Sequence, residues 1–311
     1  MSAWPDRINF SFMIGGSSKS GTSFLHEALM KNPGIHLPPR EVHEFLPGYF
    51  SPQCLTTLEK DLDYSKIVGI KRPDLIFNFN AIHNVRRIAG PDIKTIIILR
   101  DPVVRAISHF FHFRGLAQIK FCSFDAFADA LTRGDLPSLG LRAHEIELHS
   151  RYREAIEHCK SLFGASNMLL INFEDLTTDP QTSTDRVCAF IGAAPSPVPE
   201  MPFIPQRVFY NESSQIYLAR AARLEGYCGP HRAVVAYRQQ PTSWPRRFMA
   251  RRFREKASLQ DNATTKPQFL SKALDRLKEH FLHEYAYAES LGLTFTELNS
   301  LVTRNRSPAE V

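Results

Sequence analysis

The stretch "GGSSKSGTSFLHEAL", residues 15–29, constrains the fold of this chain of 311 residues more than any other segment. The apolar run "INFSFMI" (8–14) precedes it, and an apolar-periodic segment follows the glycines until Pro33. A buried strand, a Gly/Ser-rich loop and an amphipathic helix are therefore expected in that order. Backbone N–H groups of such a loop, assisted by the dipole at the helix N-terminus, can bind an anion. The segment predicts an anion site after the first strand.

The loop differs from the loop that binds nucleoside triphosphates, G-x-x-x-x-G-K-[ST], in the position of its lysine. Gly16 and Gly21 have the required separation and Ser23 ends the motif, but Thr22 stands where lysine is expected. Lys19 lies inside the loop instead, where it adds a mobile cation to the hydroxyl donors Thr22 and Ser23. The residues alone leave two interpretations open, a loop built for a different anion and a flexible glycine-serine turn.

Three further apolar runs, "KIVGI" (66–70), "KTIIILR" (94–100) and "NMLLINF" (167–173), lack polar alternation and are separated by helical patterns. Such runs are typical of parallel strands that are covered on both faces. Helices are predicted over residues 145–163, over "TDPQTSTDRVCAFIG" up to Gly192, and over 272–292. The predicted fold class is therefore α/β, with a short central parallel sheet flanked by helices.

The composition excludes some classes of protein. Hydrophobic residues at 43% and charged residues at 23% are ordinary for a soluble globular chain. No apolar run approaches the roughly 18 residues of a membrane span, and the start lacks a signal-peptide pattern, so a cytoplasmic location is expected. Five cysteines without a C-x-x-C pair supply no metal framework. The formal net charge of +6 favours anionic partners.

A second candidate segment is "ILRDPVVRAISHFFHF" (98–113). Arg100 follows the third predicted strand, at the sheet edge where open α/β sheets bind ligands. Asp101 and Pro102 then begin a helix, and Ser108 lies about two turns into it. An arginine with a nearby hydroxyl suits phosphate recognition, although an Arg-Asp-Pro turn taken alone is more often structural.

Together, "KSGTS" and "LRDPVVRAISHF" resemble the two nucleotide-binding signatures of sulfotransferases, which use 3′-phosphoadenosine-5′-phosphosulfate (PAPS) as donor. "HSRYREAIEHCKSLFG" (149–164) and "INFEDLTTDPQTSTDRVCAFIG" (171–192) are similar to later segments of that family. The resemblance covers about residues 10–192 and is loose beyond them. It implies a P-loop-like fold in a single domain over 1–311, with a donor-binding core at about 8–192 and an acceptor or lid region at about 193–311.

The resemblance also implies how the donor is held. The loop residues would bind the 5′-phosphosulfate, with Lys19 on the bridging oxygen and the leaving phosphate; they are Lys19, Ser20, Gly21, Thr22 and Ser23. Arg100 and Ser108 would hold the 3′-phosphate. Arg207, in "PQRVFYNES" (205–213), is the best candidate for a late contact to the same phosphate. The product would be adenosine 3′,5′-bisphosphate, and no metal is expected.

On the acceptor side, "PPREVHEFLPGYF" (38–50) resembles the segment that carries a glutamate base in the carbohydrate-modifying branch of the family. The base maps to Glu41, which without the resemblance reads as a surface carboxylate. His43 and Glu44 are close enough to be rivals, and His43 is the preferred rival base. "GIKRPDLIF" (69–77) resembles a Lys-Thr-Pro strand end, so Lys71 is expected to stabilise the transferred group. Arg72 replaces the usual threonine.

The resulting hypothesis is transfer of a sulfuryl group to a hydroxyl, or less favourably an amine, of a carbohydrate or polyhydroxylated small molecule. One alternative is a P-loop kinase acting on a small molecule with ATP and magnesium. A second is a non-catalytic module that binds lipid or nucleic acid through the basic run 246–256, which could also make peripheral contact with a membrane surface in an enzyme. The sulfotransferase hypothesis expects no nucleic-acid partner.

Overall fold

Five parallel strands form one sheet in the computed structural model, which describes residues 4–5, 7–140, 142–198, 212–224, 244–261 and 271–298. The strands are β1 (Phe12–Gly16), β2 (Ile35–His36), β3 (Ile67–Lys71), β4 (Lys94–Leu99) and β5 (Met168–Asn172). Their order across the sheet is β2-β3-β1-β4-β5. The predicted parallel sheet is therefore confirmed. The sequence pattern did not predict β2, because two residues are too short to show a pattern.

The described helices, numbered along the chain, are α1 (Thr22–Met30), α2 (Pro52–Lys60), α3 (Phe79–Ala89), α4 (Pro102–Gly115), α5 (Phe124–Thr132), α6 (Ala143–Leu148), α7 (Tyr152–Phe163), α8 (Phe173–Thr178), α9 (Pro180–Ile191), α10 (Glu212–Leu224), α11 (Trp244–Asp261), α12 (Ser271–His280) and α13 (Leu282–Ser290). Among these described helices, none combines the length and the apolar character that crossing a bilayer requires.

The chain divides into two compact units. The first comprises Met1–Arg100, Arg151–Ile204 and Tyr287–Phe295, and it contains the whole sheet. The second comprises Asp101–Ser150, Pro205–Ala286 and Thr296–Val311, and its described part is helical.

In the first unit, both faces of the sheet are covered. Along β1, Phe12 and Ile14 point to the face that packs against α1 and α9, through a buried cluster that includes Leu25, Leu29 and Val187. Met13 alternates to the opposite face and is fully buried, and α7 packs against β4 and against α3. Burial of both faces explains why the strands read as continuous apolar runs.

The second unit has its own core, rich in phenylalanine. Phe110 on α4 stacks on Phe127 of α5 with ring centroids 4.6 Å apart. Residues of α12 complete the cluster, among them Leu274 and Leu277, together with Phe281 between α12 and α13. The final helical segment predicted over 272–292 is thus two helices, interrupted at this buried phenylalanine.

The single helix predicted over 145–163 is wrong, since α6 ends at Leu148 and α7 begins at Tyr152. Arg105, which is fully buried on α4, accounts for the break. Its Nε donates to Ser150 Oγ at 2.7 Å, and that hydroxyl donates to the Pro102 carbonyl at 2.8 Å. These contacts come from residues far away in sequence, so the local pattern could not reveal them.

Asp101 caps α4, and its burial has a consequence for pH dependence. Its carboxylate accepts hydrogen bonds from the N–H groups of Val103 and Val104, both at 3.0 Å, and from Tyr285 Oη at 2.9 Å. Burial nevertheless raises the pKa of Asp101 to about 6. Because this pKa lies above that of an unfolded aspartate, the carboxyl stabilises the fold at low pH, and this contribution is lost as the pH rises through about 6.

We therefore expect the unfolding free energy of the wild type, relative to that of Asp101→Asn, to decrease by roughly 2–3 kcal/mol between pH 4 and pH 7. Asparagine retains an oxygen that accepts from the helix N–H groups but has no charge to bury. Urea unfolding of both proteins across this range measures the difference. Asp92→Asn, at an exposed position, controls for the loss of one negative charge. If the difference in unfolding free energy between the wild type and Asp101→Asn did not change with pH, the raised pKa of Asp101 would be contradicted.

Candidate active site

The carboxyl edge of the sheet brings the candidate residues of the first unit together. From β1 the chain passes to β2 and β3 on one side of the sheet and then crosses to β4 and β5 on the other. Such a reversal of strand order leaves a crevice beyond the strand ends, where open α/β sheets bind ligands. The Gly/Ser loop follows β1, Lys71 ends β3 and Arg100 follows β4.

The loop between β1 and α1 has the geometry of an anion site. Lys19 and Gly21 both adopt left-handed backbone conformations, with φ values of 70° and 84°. Alternation of such residues turns successive N–H groups toward one point. Among the described residues, no side chain caps α1 at Gly21, and α6 and α7 also lack a side-chain cap, whereas side chains cap α2, α3, α4, α5, α8 and α9. The first turn of α1 thus suits an anionic ligand, which would satisfy its N–H groups.

Gly21 is required at its position for two reasons. Its positive φ disfavours any residue with a Cβ. A Cβ there would also come within 3.2 Å of the side chains of Phe173 and Leu176. The loop therefore lies close against the start of α8.

Two serines hold the loop internally. Ser17 Oγ and Ser20 Oγ lie 2.6 Å apart and both residues are fully buried. The N–H group of Ser17 donates to the Ile98 carbonyl at 2.9 Å, which ties the loop to β4. The Ser20 hydroxyl is therefore engaged in a hydrogen bond within the loop. Thr22, two positions later, is buried and is the first residue of α1.

Arg100 lies beside this loop. Its Nη1 donates to the Lys19 carbonyl at 2.9 Å, and its guanidinium carbon lies 4.3 Å from the centre of the Phe173 ring. The Arg100 carbonyl accepts a hydrogen bond from Tyr152 Oη at 2.6 Å. The two sequence segments singled out above thus meet at Arg100. Ser108 is buried on α4 in the second unit, so its pairing with Arg100 stays a prediction.

Lys71 connects the loop with the candidate base. Its side chain is 5% exposed, and its Nζ donates to Ser23 Oγ at 3.1 Å and to Glu41 Oε1 at 2.7 Å. The Lys71 carbonyl accepts from the N–H group of Val42 at 3.0 Å, which fixes the segment that carries Glu41. The cation therefore contacts both a hydroxyl and a carboxylate, and the three groups were predicted separately from three segments.

Arg72 is a second cation at this carboxylate. Its Nη1 lies 3.4 Å from Glu41 Oε2, and its Nη2 donates to Asp74 Oδ2 at 2.8 Å. Its Nε also donates to Asp74, so the guanidinium is held by a fork of two hydrogen bonds. The Glu41 side chain remains 43% exposed, and a molecule from solvent can reach it.

The rival groups His43 and Glu44 have other partners. Arg40 pairs with Glu44, and the N–H group of His43 donates to Glu44 Oε2 at 2.8 Å. Burial acts to raise the pKa of Glu44, but the hydrogen bonds from Arg40, a backbone hydrogen bond and the charge of Arg40 together hold the pKa below its ordinary value. Burial lowers the pKa of His43, whose ring packs edge-on against Tyr49 at 5.0 Å. Of the three candidates, Glu41 is the one paired with Lys71.

The sequence analysis missed His26, which lies on α1 one turn after Ser23. The ring is buried, and its Nε2 lies 2.9 Å from the Pro38 carbonyl, at the start of the segment that carries Glu41. A carbonyl only accepts, so Nε2 carries the proton. Burial lowers the pKa of His26, and the positive charge of Lys71 acts in the same direction. The only sequence signal was a polar residue at an inward position of an amphipathic helix.

Arg207, which was predicted to make a late contact with the 3′-phosphate, lies outside the described residues. Within the described part of the chain, no three His, Cys, Asp or Glu side chains are grouped so that they could hold a metal ion. Burial raises the pKa of Cys159 to about 12, so this thiol is protonated at neutral pH.

Comparison with known proteins gives a family. The sulfotransferase domain model matches residues 11–255. The bifunctional heparan sulfate N-deacetylase/N-sulfotransferase 4 of Mus musculus is 27% identical over 195 residues, which are 59% of this chain and 22% of that protein. The heparan sulfate glucosamine 3-O-sulfotransferase 6 of Homo sapiens is 26% identical over 195 residues, 62% of this chain and 55% of that protein. The chain thus spans less than two thirds of either relative.

A sulfotransferase from Alicyclobacillus acidocaldarius has a similar fold. The TM-score is 0.55 at 22% identity, and the alignment covers 69% of this chain and 94% of that protein. The sheet with its loop after β1 is the P-loop-like sulfotransferase fold expected from the sequence. Because the family model covers well over half of the 311 residues, the chain belongs to the sulfotransferase family.

Proposed function

We propose that this protein transfers a sulfuryl group from PAPS to a hydroxyl group of a carbohydrate or polyhydroxylated small molecule. The observation that carries the proposal is the contact of Lys71 with both Ser23, in the first turn of α1, and Glu41. This contact connects an anion-binding loop with a partly exposed carboxylate that could accept a proton. The family membership and the heparan sulfate named for two relatives support a carbohydrate acceptor.

On the donor side, we propose that the N–H groups of the loop and the side chain of Lys19 hold the 5′-phosphosulfate. Lys19 would offset the charge that develops on the leaving phosphate. Arg100, with Ser108 and Arg207 as proposed partners, would hold the 3′-phosphate. Arginine suits this role because its planar fork can donate two hydrogen bonds to one phosphate group.

On the acceptor side, Glu41 would accept the proton of the attacking hydroxyl, and Lys71 would offset charge on the sulfuryl oxygens. A positioned base contributes about 10²–10⁴ to the rate of such a transfer. The ion pair with Lys71 keeps Glu41 in a fixed position, and Ser23 keeps Lys71 beside the loop. A cytoplasmic site of action is also part of the proposal, and five widely spaced cysteines without a C-x-x-C pair suit the reduced thiols of a cytosol.

The first test is thermal unfolding with adenosine 3′,5′-bisphosphate. At about one hundred times its dissociation constant, a ligand adds about 2.7 kcal/mol to stability, and the melting temperature should rise by several degrees. Adenosine 5′-monophosphate, which lacks the 3′-phosphate, serves as the matched control ligand and should give a smaller shift. Arg100→Met should reduce the response to the bisphosphate toward that control.

Each other outcome of this test has a defined meaning. A shift with ATP and magnesium but none with the bisphosphate would replace the proposal by the kinase alternative. No shift with any nucleotide would contradict a donor site and favour a non-catalytic role. Once the bisphosphate binds, radiolabelled PAPS with a panel of oligosaccharides, polyols and amino sugars tests the acceptor class. Label transferred to amino groups alone would contradict the hydroxyl acceptor.

A further inference from the structure

The helices α10 and α11 of the second unit pack on each other through small residues. Ala221 and Ala222 of α10 and Ala250 and Ala257 of α11 are almost completely buried. Ser214 Oγ donates to the Ala257 carbonyl at 3.0 Å across the pair. Phe253 also faces α10, where its ring stacks on that of Tyr217 with ring centroids 6.0 Å apart. Most of the other large side chains of α11 lie on the remaining surface of the helix.

That surface carries a concentrated positive charge. We call it the α11 face and define it by the exposed residues Arg246, Arg247, Phe248, Met249, Arg251, Arg252, Arg254 and Lys256. Six of these eight residues are cations, against one acid within the same run, Glu255. Arg251 pairs with Glu255 at 2.9 Å, but their side chains are 81% and 56% exposed, so solvent screens this pair strongly. Two more arginines, Arg220 and Arg223, lie exposed on α10.

Two large apolar side chains lie among these cations. Phe248 is 40% exposed and Met249 is 45% exposed. Phe248 precedes the buried Ala257 by nine residues, which is two and a half helical turns, so it projects on the side opposite the packed seam. Arg252 lies over the Phe248 ring at 4.7 Å. Phe248 therefore lies on the outer side of the helix between Arg251 and Arg252, and Glu255 follows it two turns later on the same side.

We propose that the α11 face docks on the surface of an anionic lipid membrane. The arginines and Lys256 would lie at the phosphate and carboxylate groups of the lipids, where each cation contributes to attraction. Phe248 and Met249 would enter the boundary between headgroups and acyl chains, as apolar side chains of in-plane amphipathic helices do. A nucleic acid would match the arginines through its phosphates but would leave Met249 in water. A charged bilayer accounts for both the cations and the apolar side chains.

Co-sedimentation of the full chain with vesicles tests this proposal, and the two kinds of side chain give separate readouts. Wild-type protein should bind vesicles of phosphatidylcholine with phosphatidylserine and should bind pure phosphatidylcholine vesicles far more weakly. The double variant Arg251→Glu/Arg252→Glu should lose at least about tenfold in partition coefficient, because two attractive charges become repulsive. Phe248→Ser should lose about three- to tenfold, since one exposed ring no longer leaves water on binding.

The matched control is Lys272→Glu/Lys278→Glu, which makes the same change of charge on exposed positions of α12 in the same unit. This variant should bind anionic vesicles nearly as the wild type does. Circular dichroism and the melting temperature establish that every variant is folded. The response to adenosine 3′,5′-bisphosphate should be unchanged in all of them, so failure of the docking proposal and failure of the proposed activity are distinguishable.

Three outcomes would overturn the proposal. The first is wild-type protein that stays in solution with both kinds of vesicle. The second is a loss of vesicle binding in the α12 control that equals the loss in the α11 variant, because binding would then depend only on the net charge of the protein. The third is binding of a single-stranded oligonucleotide, at the same salt concentration, that exceeds vesicle binding and is insensitive to Phe248→Ser. That result would identify a nucleic-acid surface instead.

Discussion

Replacing Glu41 by glutamine is expected to lower turnover by about 10²- to 10⁴-fold, because glutamine keeps the shape of the side chain but cannot accept the proton of the acceptor. The expectation follows from the proposed function and from the position of the carboxylate, 2.7 Å from Lys71 and still 43% exposed. The affinity for adenosine 3′,5′-bisphosphate should change little, since the proposed contacts of this ligand come from the loop and Arg100. Initial rates of PAPS consumption with an accepted carbohydrate, and calorimetric titration with the bisphosphate, measure the two quantities.

Two variants make this experiment decisive. Glu27→Gln removes an exposed carboxylate from α1 and should leave turnover close to that of the wild type. His43→Gln tests the rival base. If this variant loses most of its turnover while Glu41→Gln retains it, the base has been assigned to the wrong residue of the segment.

The second large effect is expected for Lys71→Met, which should lower turnover by about 10²- to 10³-fold, as removal of one preorganised donor at a developing charge typically does. Methionine is unbranched and nearly as long, so it can fill the buried space that the Lys71 side chain occupies. The variant loses the charge beside Ser23 and Glu41 but keeps the packing at the end of β3. The loss should appear in kcat, with the melting shift caused by the bisphosphate retained.

The chain offers a matched control at the other end of the same strand. Lys66 precedes β3, is 39% exposed and lies 3.6 Å from Asp63. An exposed pair of this kind contributes about 0–1 kcal/mol to stability, so Lys66→Met should leave turnover and melting temperature almost unchanged. If Lys71→Met also abolishes the response to the bisphosphate, Lys71 acts by holding the loop through Ser23, and its role at the sulfuryl group is contradicted.

Much of the sheet and of the candidate site at its edge could be predicted because the sequence signals are local. The strand before the loop, the glycine separation and the Arg-Asp-Pro turn lie within short segments, and the sheet arranges the ends of such segments along one edge. Likewise, Asp179 caps the start of α9 and Gly192 caps its end, as Pro180 and Gly192 predicted from the sequence. The family resemblance added the roles of Glu41 and Lys71, and their contact is consistent with it.

What the sequence could not reveal depends on contacts between distant residues. In the sequence, Phe173 is the last residue of an apolar run predicted to be a strand. In the structure, its ring lies under the guanidinium of Arg100, which is 73 residues earlier in the chain. His26 reads as a polar exception on an apolar face, and its partner Pro38 belongs to a segment without regular structure. The break between α6 and α7 follows from Arg105. In each case, the partner is known only once the chain is folded.

The surroundings of Arg100 bear on its proposed role at the 3′-phosphate. A free arginine side chain loses up to about 2 kcal/mol of rotational entropy when a ligand immobilises it. In the folded chain, the guanidinium already rests on the Phe173 ring and donates to the Lys19 carbonyl, while Tyr152 holds the Arg100 backbone. Most of that entropy is therefore lost during folding. If Arg100 holds the 3′-phosphate as proposed, recognition would thus rely on a guanidinium that is held in place before the nucleotide binds, and a change at Phe173 or Tyr152 would weaken it indirectly.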